Sequence, residues 1–376
     1  MGLIFAHDHK FRFVDGCYYS TGGLSNDVLT RYVNIFGKVT VIARVINESN
    51  VGERYSAIEN PNVQIIERRL LTKADVLKMV SENEYIIARL PSKIGSEIAQ
   101  YAQKLRKKYL VEMVGCPWDA LFNHSIRGKV VALPMYLITK QQVKEASYVL
   151  YVTEKFLQNR YPTKGNMVGC SDVVINDCDD AVLEKRIQHI NNQSGKIIIG
   201  TTAAVDVRYK GQEYIIRAIA ALKKKGITHF EYQLVGNGNL EYLSQIAAEN
   251  NVEDMVTFVG GLPHNKVFEW LDTIDIYAQP SKVEGLPRAV VEAMSRALPC
   301  IGSRKGGIPE LLDEDCLFLS TNINEIVEIL KGANTNWMKK KAISSIEKAK
   351  LYDKAKLDEK RNRFYEEFKK CVDNAK

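Results

Sequence analysis

Short apolar runs rich in β-branched and aromatic residues alternate with amphipathic stretches along the chain, and this alternation restricts the fold more than any other feature. Residues 3–6, 39–45, 63–67, 85–89, 109–114 and 148–152 form one set of runs; residues 196–200, 232–235, 256–259, 275–278, 299–302 and 317–319 form a second. Between several of them lie helical patterns such as residues 24–35 and 94–107. Short, continuously apolar strands are buried on both faces, and strands separated by helices pair in parallel. The expectation is an α/β chain with two parallel-sheet, Rossmann-like domains. A length of 376 residues is also more than one ordinary core holds. Residues 176–195 are polar, end in Asn191-Asn-Gln-Ser-Gly195, and read as a connector. The predicted division is therefore a first domain over 1–175, a linker over 176–195, a second domain over 196–350 and a C-terminal helix over 351–376. In that last helix Phe364, Tyr365 and Phe368 recur at helical spacing, the mark of a packing stripe.

Composition excludes several classes. Hydrophobic residues make up 45% and charged residues 26%, as in globular proteins, and no apolar run of about 18 residues offers a membrane span. Met1-Gly-Leu-Ile-Phe-Ala-His7 reads as a first strand rather than a signal peptide, and Ala6 stands where a myristoylation motif wants Ser or Thr. Seven cysteines without a Cys-x-x-Cys pair argue for reduced thiols in cytoplasm and against zinc or a disulfide frame. A net charge of +7 allows an anionic ligand or an anionic membrane face, and equally a mildly basic soluble enzyme; no nucleic-acid partner is expected. Lys104-Leu-Arg-Lys-Lys108 is read as a solvated helix end, with contact to anionic lipid as the alternative.

The chemistry concentrates between Ser281 and Glu310. The run 274–279 ends at Pro280, and a helix is expected to begin at Pro287, whose fixed φ suits a first helical position. Gly285 lets backbone approach a ligand, and the helix N-terminus offers unpaired N–H groups to an anion such as a phosphate. Glu284 precedes this cradle and Glu292 lies just inside it. Carboxylates repel phosphate unless otherwise engaged, and sugar diols are suitable donors to them. The pattern therefore reads as one acid for a hexose, a helix end for a diphosphate and a second acid for a ribose.

Glu284-x7-Glu292, followed by the turn Gly306-Gly307, resembles the donor site of the retaining glycosyltransferases of family 4, in a capsular or exopolysaccharide type of branch. The resemblance implies the GT-B fold, in which two Rossmann-like domains face each other across a cleft and the last helix returns to the first domain; residues 358–368 resemble that segment. It further implies that Lys210, in Asp206-Val-Arg-Tyr-Lys-Gly211, neutralises the donor diphosphate with Arg208 assisting. A lone Lys-Gly pair would otherwise be a solvated turn. The family's frequent arginine after the first strand of the second domain is replaced here by Thr201-Thr202. By the same resemblance Gly236-Asn237 lies over the nucleotide, Gly261-Leu262 offers backbone to the base, and Gly285-Leu286-Pro287 holds the phosphates. Gly22-Gly23 is either the loop that approaches the donor phosphate or a plain helix start.

In the first domain His7 and His9 share one face of a strand, so two metal ligands are geometrically possible, but no third partner is evident. The reading taken is an acceptor-facing rim, joined by Trp118 and Asp119 of Gly115-Cys-Pro-Trp-Asp119; Arg89-Leu-Pro-Ser92 closes a neighbouring strand. His124 is close to the position of a family histidine but is assigned no role. The resemblance implies no bound metal and no cofactor, with a nucleotide diphosphate sugar, UDP foremost, as co-substrate. The expected reaction is transfer of a hexosyl or N-acetylhexosaminyl unit, with retention, to a hydroxyl of a saccharide or lipid-linked saccharide, in the cytoplasm or at the inner face of the plasma membrane. Two rivals are a GT-B nucleotide-sugar epimerase and a catalytically silent nucleotide-sugar-binding subunit.

Overall fold

The computed structural model describes residues 2–52, 55–122, 126–173, 175 and 178–375, with residues 126 and 127 described by their backbone alone. The chain forms two units: Met1–Cys170 with Asp358–Lys376, and Ser171–Leu357.

Unit 1 is built on β1 (Leu3–Val14), β2 (Cys17–Ser20), β3 (Val39–Asn47), β4 (Ser56–Ala57), β5 (Val63–Glu67), β6 (Tyr85–Leu90), β7 (Leu110–Met113), β8 (Tyr148–Tyr151) and β9 (Asn166–Gly169). The strands β5-β3-β1-β6-β7-β8-β9 are parallel; β2 runs antiparallel to β1, and β4 pairs antiparallel with β2. Leu3, Ile4, Phe5 and Ala6 are fully buried between β3 and β6, as their apolar run predicts. β1 then continues beyond the predicted residues 3–6. Its register against β3 shifts between Ala6 and Lys10, and its second half pairs with β2. That half carries Lys10 and Arg12 and is only partly covered, so it lacks the continuous apolar signature of a central strand.

Unit 2 is a sheet of parallel strands in the order β12-β11-β10-β13-β14-β15, with β10 (Ile197–Thr202), β11 (Phe230–Val235), β12 (Val256–Gly260), β13 (Ile276–Gln279), β14 (Cys300–Ser303) and β15 (Leu317–Phe318). Each strand coincides with a predicted run to within a few residues. The order reverses direction between β10 and β13, and ligands of open α/β sheets collect at the carboxyl ends beside such a point.

Two boundaries differ from expectation. The predicted linker contains a helix, Asp180–Asn192, whose first turn is capped by the Asp179 side chain accepting from Val182 N at 3.0 Å. Ile190 on this helix packs against Ala297, Met338, Ala342 and Ile346. Buried Arg186 donates to the carbonyls of Ile274 and Leu271 at 2.6 and 2.9 Å. The segment is thus part of unit 2, and its many polar residues lie on the outer face. Asn176 and Asp177 lie outside the described residues. The final helix, Lys354–Asp373, joins unit 1 only from Asp358 onward rather than from residue 351. Tyr365 donates to buried Glu112 at 2.7 Å, and the Phe364 and Phe368 rings pack on Tyr148, confirming the stripe as packing.

The basic run 104–108 is also put to structural use. Lys107 Nζ donates to the carbonyls of Val80, Ser81 and Asn83 at 2.6–2.8 Å, closing the end of the helix Lys73–Glu82, and Lys108 Nζ donates to Cys371 O at 2.8 Å. Their ammonium groups are thereby engaged, and the lipid-contact alternative for this run loses those two charges.

Candidate active site

β13 delivers the chain to the carboxyl edge of the unit 2 sheet, and the residues after it are clamped from two sides. On one side Lys282 N donates to Tyr209 O at 2.7 Å; on the other, Gly307 N donates to Gly285 O at 2.6 Å and Ser303 Oγ to Ser281 O at 2.5 Å. Both clamps require glycine. Gly211 (φ 76°) would place a Cβ 2.2 Å from Pro280 O, and Gly306 (φ 58°) would place one 2.1 Å from Glu284 O. The following helix is Arg288–Ser295, one residue later than predicted: Pro287 has ψ 107° and serves as its N-cap. Proline fixes φ but not ψ, which is why its position alone did not set the first helical residue.

Inside the clamp Glu284 meets Lys210, with Nζ 2.7 Å from Oε1 and side-chain exposures of 11% and 24%. The same Oε1 accepts from Gln279 Nε2 at 3.0 Å. Gln279 is fixed in turn, since its Nε2 also reaches Ser281 Oγ at 2.9 Å and its Oε1 accepts from Tyr277 at 2.9 Å. Tyr277 lies 3.0 Å from Thr202 Oγ1, and burial raises its hydroxyl far above the usual phenol range. A buried polar chain thus runs from Thr202 through Tyr277 and Gln279 to one oxygen of Glu284. Oε2 of Glu284 has no partner among the described residues and is the oxygen available to a ligand.

Glu292 lies on the helix Arg288–Ser295, and its carboxylate is 3.3 Å from Nε2 of His264, the first residue of the helix His264–Thr273. That hydrogen bond raises the His264 pKa above its ordinary value. Arg208 does not join Lys210 at Glu284; its guanidinium lies 4.3 Å from the centre of the Tyr242 ring, and Tyr242 donates to Glu213 at 2.9 Å. The turns expected to face the nucleotide are close-packed. A Cβ on Gly236 would lie 1.8 Å from Ala203 O, and one on Gly261 2.1 Å from Asn237 Oδ1. Asn237 O accepts from Val205 N at 3.1 Å, and Leu262 is half-buried beside Gly261.

The unit 1 residues behave differently. Gly22-Gly23 forms a single 3-10 turn before the helix Asn26–Phe36, which Ser25 caps. Within the run Asp8 accepts from the backbone N–H groups of Lys93 and Ile94 at 2.8 and 3.0 Å, capping the helix Lys93–Lys104. His9 Nε2 is 2.8 Å from Ser20 Oγ, whereas His7 Nδ1 is buried without a partner. Burial, reinforced by the Arg89 charge, lowers the His7 pKa to about 3 and that of His9 to about 4, so both rings are neutral at pH 7. Trp118 stacks on Phe122 at 5.5 Å, and Asp119 pairs with Arg160 at 3.2 Å. Among the described residues no group of three or more His, Cys, Asp or Glu side chains could hold a metal ion. His124 lies outside the described residues.

Residues 183–367 match the family of glycosyl transferases group 1. The chain is 32% identical over 346 residues to Protein CapJ of Staphylococcus aureus, covering 88% of this chain and 85% of that protein. It belongs to the group 1 glycosyltransferases. Over 113 residues it is 38% identical to the amylovoran biosynthesis glycosyltransferase AmsK of Erwinia amylovora, covering 28% of each chain. Among solved structures, sucrose-phosphate synthase from Thermosynechococcus elongatus superposes with a TM-score of 0.69 at 16% identity, covering 99% of this chain and 100% of that one. WaaG, a glycosyltransferase involved in lipopolysaccharide biosynthesis, gives a TM-score of 0.63 at 16% identity over 96% and 98% of the two chains. The fold of this group 1 glycosyltransferase is GT-B, as the acidic pair and glycine turns implied.

Sequence reasoning missed Thr202, Tyr277, Gln279 and His264. Gln279 had a readable signal, since an amide ending an otherwise apolar buried strand needs a partner. His264 had none, because its contact with Glu292 joins two different helices and depends on how they pack.

Proposed function

We propose that this glycosyltransferase moves a hexosyl or N-acetylhexosaminyl unit from a nucleotide diphosphate sugar, UDP foremost, to a hydroxyl of a growing surface saccharide, with retention at the anomeric carbon. The observation that carries the reading is the meeting of Glu284 and Lys210 at the ends of β13 and β10, with Glu292 one helix turn beyond the diphosphate cradle. Negative charge develops on the diphosphate as the sugar departs. Lys210 and the N–H groups at the start of the helix Arg288–Ser295 are assigned to meet it, because fixed charges and dipoles are most effective where charge appears in the transition state. The unpartnered Oε2 of Glu284 is assigned to the hexose hydroxyls and Glu292 to the ribose diol. Arg208, stacked on Tyr242, is assigned to the outer wall of this site and can reach the diphosphate only by leaving that ring. The proposal calls for no resident cofactor.

Support for the donor and the pathway comes from similar proteins. Anabaena HepE, similar at a TM-score of 0.65, has been solved in complex with UDP. Besides CapJ, the relatives include an amylovoran biosynthesis glycosyltransferase and a putative colanic acid biosynthesis glycosyltransferase. A lipid-linked acceptor fits this setting, and unit 1 is assigned to it. The test is incubation of the pure protein with radiolabelled UDP- and GDP-sugars, following nucleoside diphosphate release and the anomeric configuration of the product by NMR. Slow donor hydrolysis that accelerates with a saccharide acceptor and yields retained product is expected. Epimer formation, or binding without any turnover, would replace this reading with an epimerase or a silent binding subunit.

A further inference from the structure

The Glu292 carboxylate is held at one oxygen only. Its side chain is 15% exposed, and Oε1 lies 3.3 Å from Nε2 of His264. That carboxylate has no other side-chain partner among the described residues. His264 is placed by the turn Gly260-Gly-Leu-Pro263, which ends β12 and leads straight into the helix His264–Thr273. Glu292 follows β13, and β11 and β10 lie between β12 and β13 in the sheet, so the contact ties together segments that leave the edge at separate points. Two constraints fix the imidazole. The turn is packed on its neighbour, since a Cβ on Gly261 would strike Asn237, and the ring stands edge-on to Phe268, at 89° with 5.3 Å between centres. The His264 side chain is nevertheless 68% exposed, so it fills no space in the core.

A contact so exposed adds little to the stability of the fold, and its effect falls instead on what the acid binds. The inference drawn from it rests on the assignment of Glu292 to the ribose diol. A carboxylate offers about four lone-pair sites. His264 takes one of them, and those left can accept from two vicinal hydroxyls. Without the imidazole, the long Glu292 side chain would have to be ordered by the ligand itself, and ordering such a side chain on binding lowers affinity. We propose that His264 is a positioning residue for nucleotide recognition, fixing the Glu292 carboxylate so that its free lone pairs accept from the 2′- and 3′-hydroxyls of a ribonucleoside diphosphate. It thereby couples the turn expected to meet the base to the acid expected to meet the ribose, and it sharpens the choice of ribose over deoxyribose.

The experiment is isothermal titration calorimetry of the full chain with UDP and GDP and with the 2′,3′-dideoxy form of each. Wild type is expected to prefer the ribonucleotide to its dideoxy form, and Glu292→Ala to lose that preference. His264→Ala is expected to weaken the ribonucleotide about three- to tenfold, the range for leaving one long side chain unordered, while the dideoxy form binds as it does to wild type. His264→Gln, which keeps an N–H donor, is expected to recover most of the loss. Adding His264→Ala to Glu292→Ala is expected to cost nothing further, because the two residues act as one unit. Equal weakening of both nucleotides by His264→Ala overturns the proposal, and so does a Gln variant no better than the Ala variant. His264→Ala that binds as wild type does, beside a Glu292→Ala that has lost the preference, overturns the role of His264 and leaves the ribose assignment standing. Glu292→Ala that keeps the full preference, or wild type that binds neither UDP nor GDP, overturns that assignment and this inference together.

Discussion

The carboxyl edges of the two sheets carry glycines and ionisable groups in similar places but use them in opposite ways. In unit 2 the glycines are sterically compelled: Gly211, Gly236, Gly261 and Gly306 each lie where a Cβ would strike a neighbouring atom within about 2.2 Å. The acid and the base there form an ion pair at 2.7 Å. In unit 1, Gly95 is compelled as well, since a Cβ there would lie 2.6 Å from Arg89 O, but an added Cβ on Gly22 or Gly23 meets nothing within 4 Å, and the histidines are kept neutral by burial. A rigid edge with opposed charges suits a ligand whose phosphates and hydroxyls must be held in a fixed arrangement. An edge with open glycine loops and neutral rings sets few internal constraints on what it meets.

The largest expected effect tests whether the charged edge is the reacting one. Glu284→Ala should lower kcat about 100- to 1,000-fold, as removal of a group acting mainly in the transition state does. Glu292→Ala should instead raise the donor KM, by the ~1.5–3 kcal/mol of a charge-assisted hydrogen bond. Steady-state kinetics with whichever labelled nucleotide sugar is turned over separates the two, and equal effects on both parameters in both variants would erase the assignment. Next, Gly211→Ala should cost about 2–4 kcal/mol, from backbone strain and the Pro280 contact, and should abolish nucleotide binding. Gly22→Ala should stay within about 0.5 kcal/mol in urea unfolding. If the two substitutions cost the same, the contrast between the edges is false.

Proton binding should also divide the units. His7 and His9 have folded pKa values of about 3 and 4, below the ordinary 6.5, so the unfolded chain binds more protons between these limits. Their contribution is present above pH 6.5 and is lost as pH falls toward 4, by a few kcal/mol in all. His264 has the opposite sign: its raised pKa favours the folded state below pH 6.5 and the benefit fades above it, weakly, because its side chain is 68% exposed. Hydrogen exchange followed by mass spectrometry reads each unit separately, and His7→Gln with His9→Gln should flatten the acid response of unit 1 alone. The smallest effect concerns Gln279→Leu, which keeps the side chain's bulk but frees Glu284 Oε1 from the Tyr277 chain. A roughly tenfold loss in kcat with little change in donor KM is expected, about 1.4 kcal/mol. A purely structural role would instead lower the melting temperature and spare kcat.

The legible parts of the sequence were those in which one local rule decides the structure. Apolar runs such as 3–6 and 275–278 had to be buried strands, and the glycines around Glu284 had to mark tight backbone. The helix Asp180–Asn192 was hidden because its few buried residues, Arg186 and Ile190, are too sparse to make a strong apolar period, and one of them is an arginine satisfied by backbone carbonyls. The second half of β1 was hidden because its partners β2 and β3 cover it only partly. In the site, Glu284 could be named from its place beside the glycine turn and Lys210 from the family resemblance, but their contact and the Gln279 support depend on how β10 and β13 pair. Arg208 could not be resolved by spacing at all, since its partner Tyr242 belongs to a different helix.

The return of the last helix also has a consequence for synthesis. Unit 1 includes residues from Asp358 onward, and Tyr365 supplies a hydrogen bond to Glu112 in its interior. A ribosome therefore completes all of unit 2 before unit 1 can close, so the later-made half can mature while the earlier one waits with the Glu112 pocket still open. Early termination within that helix from Asp358 onward would leave unit 2 whole and unit 1 exposed, an asymmetry that quality-control proteases could read.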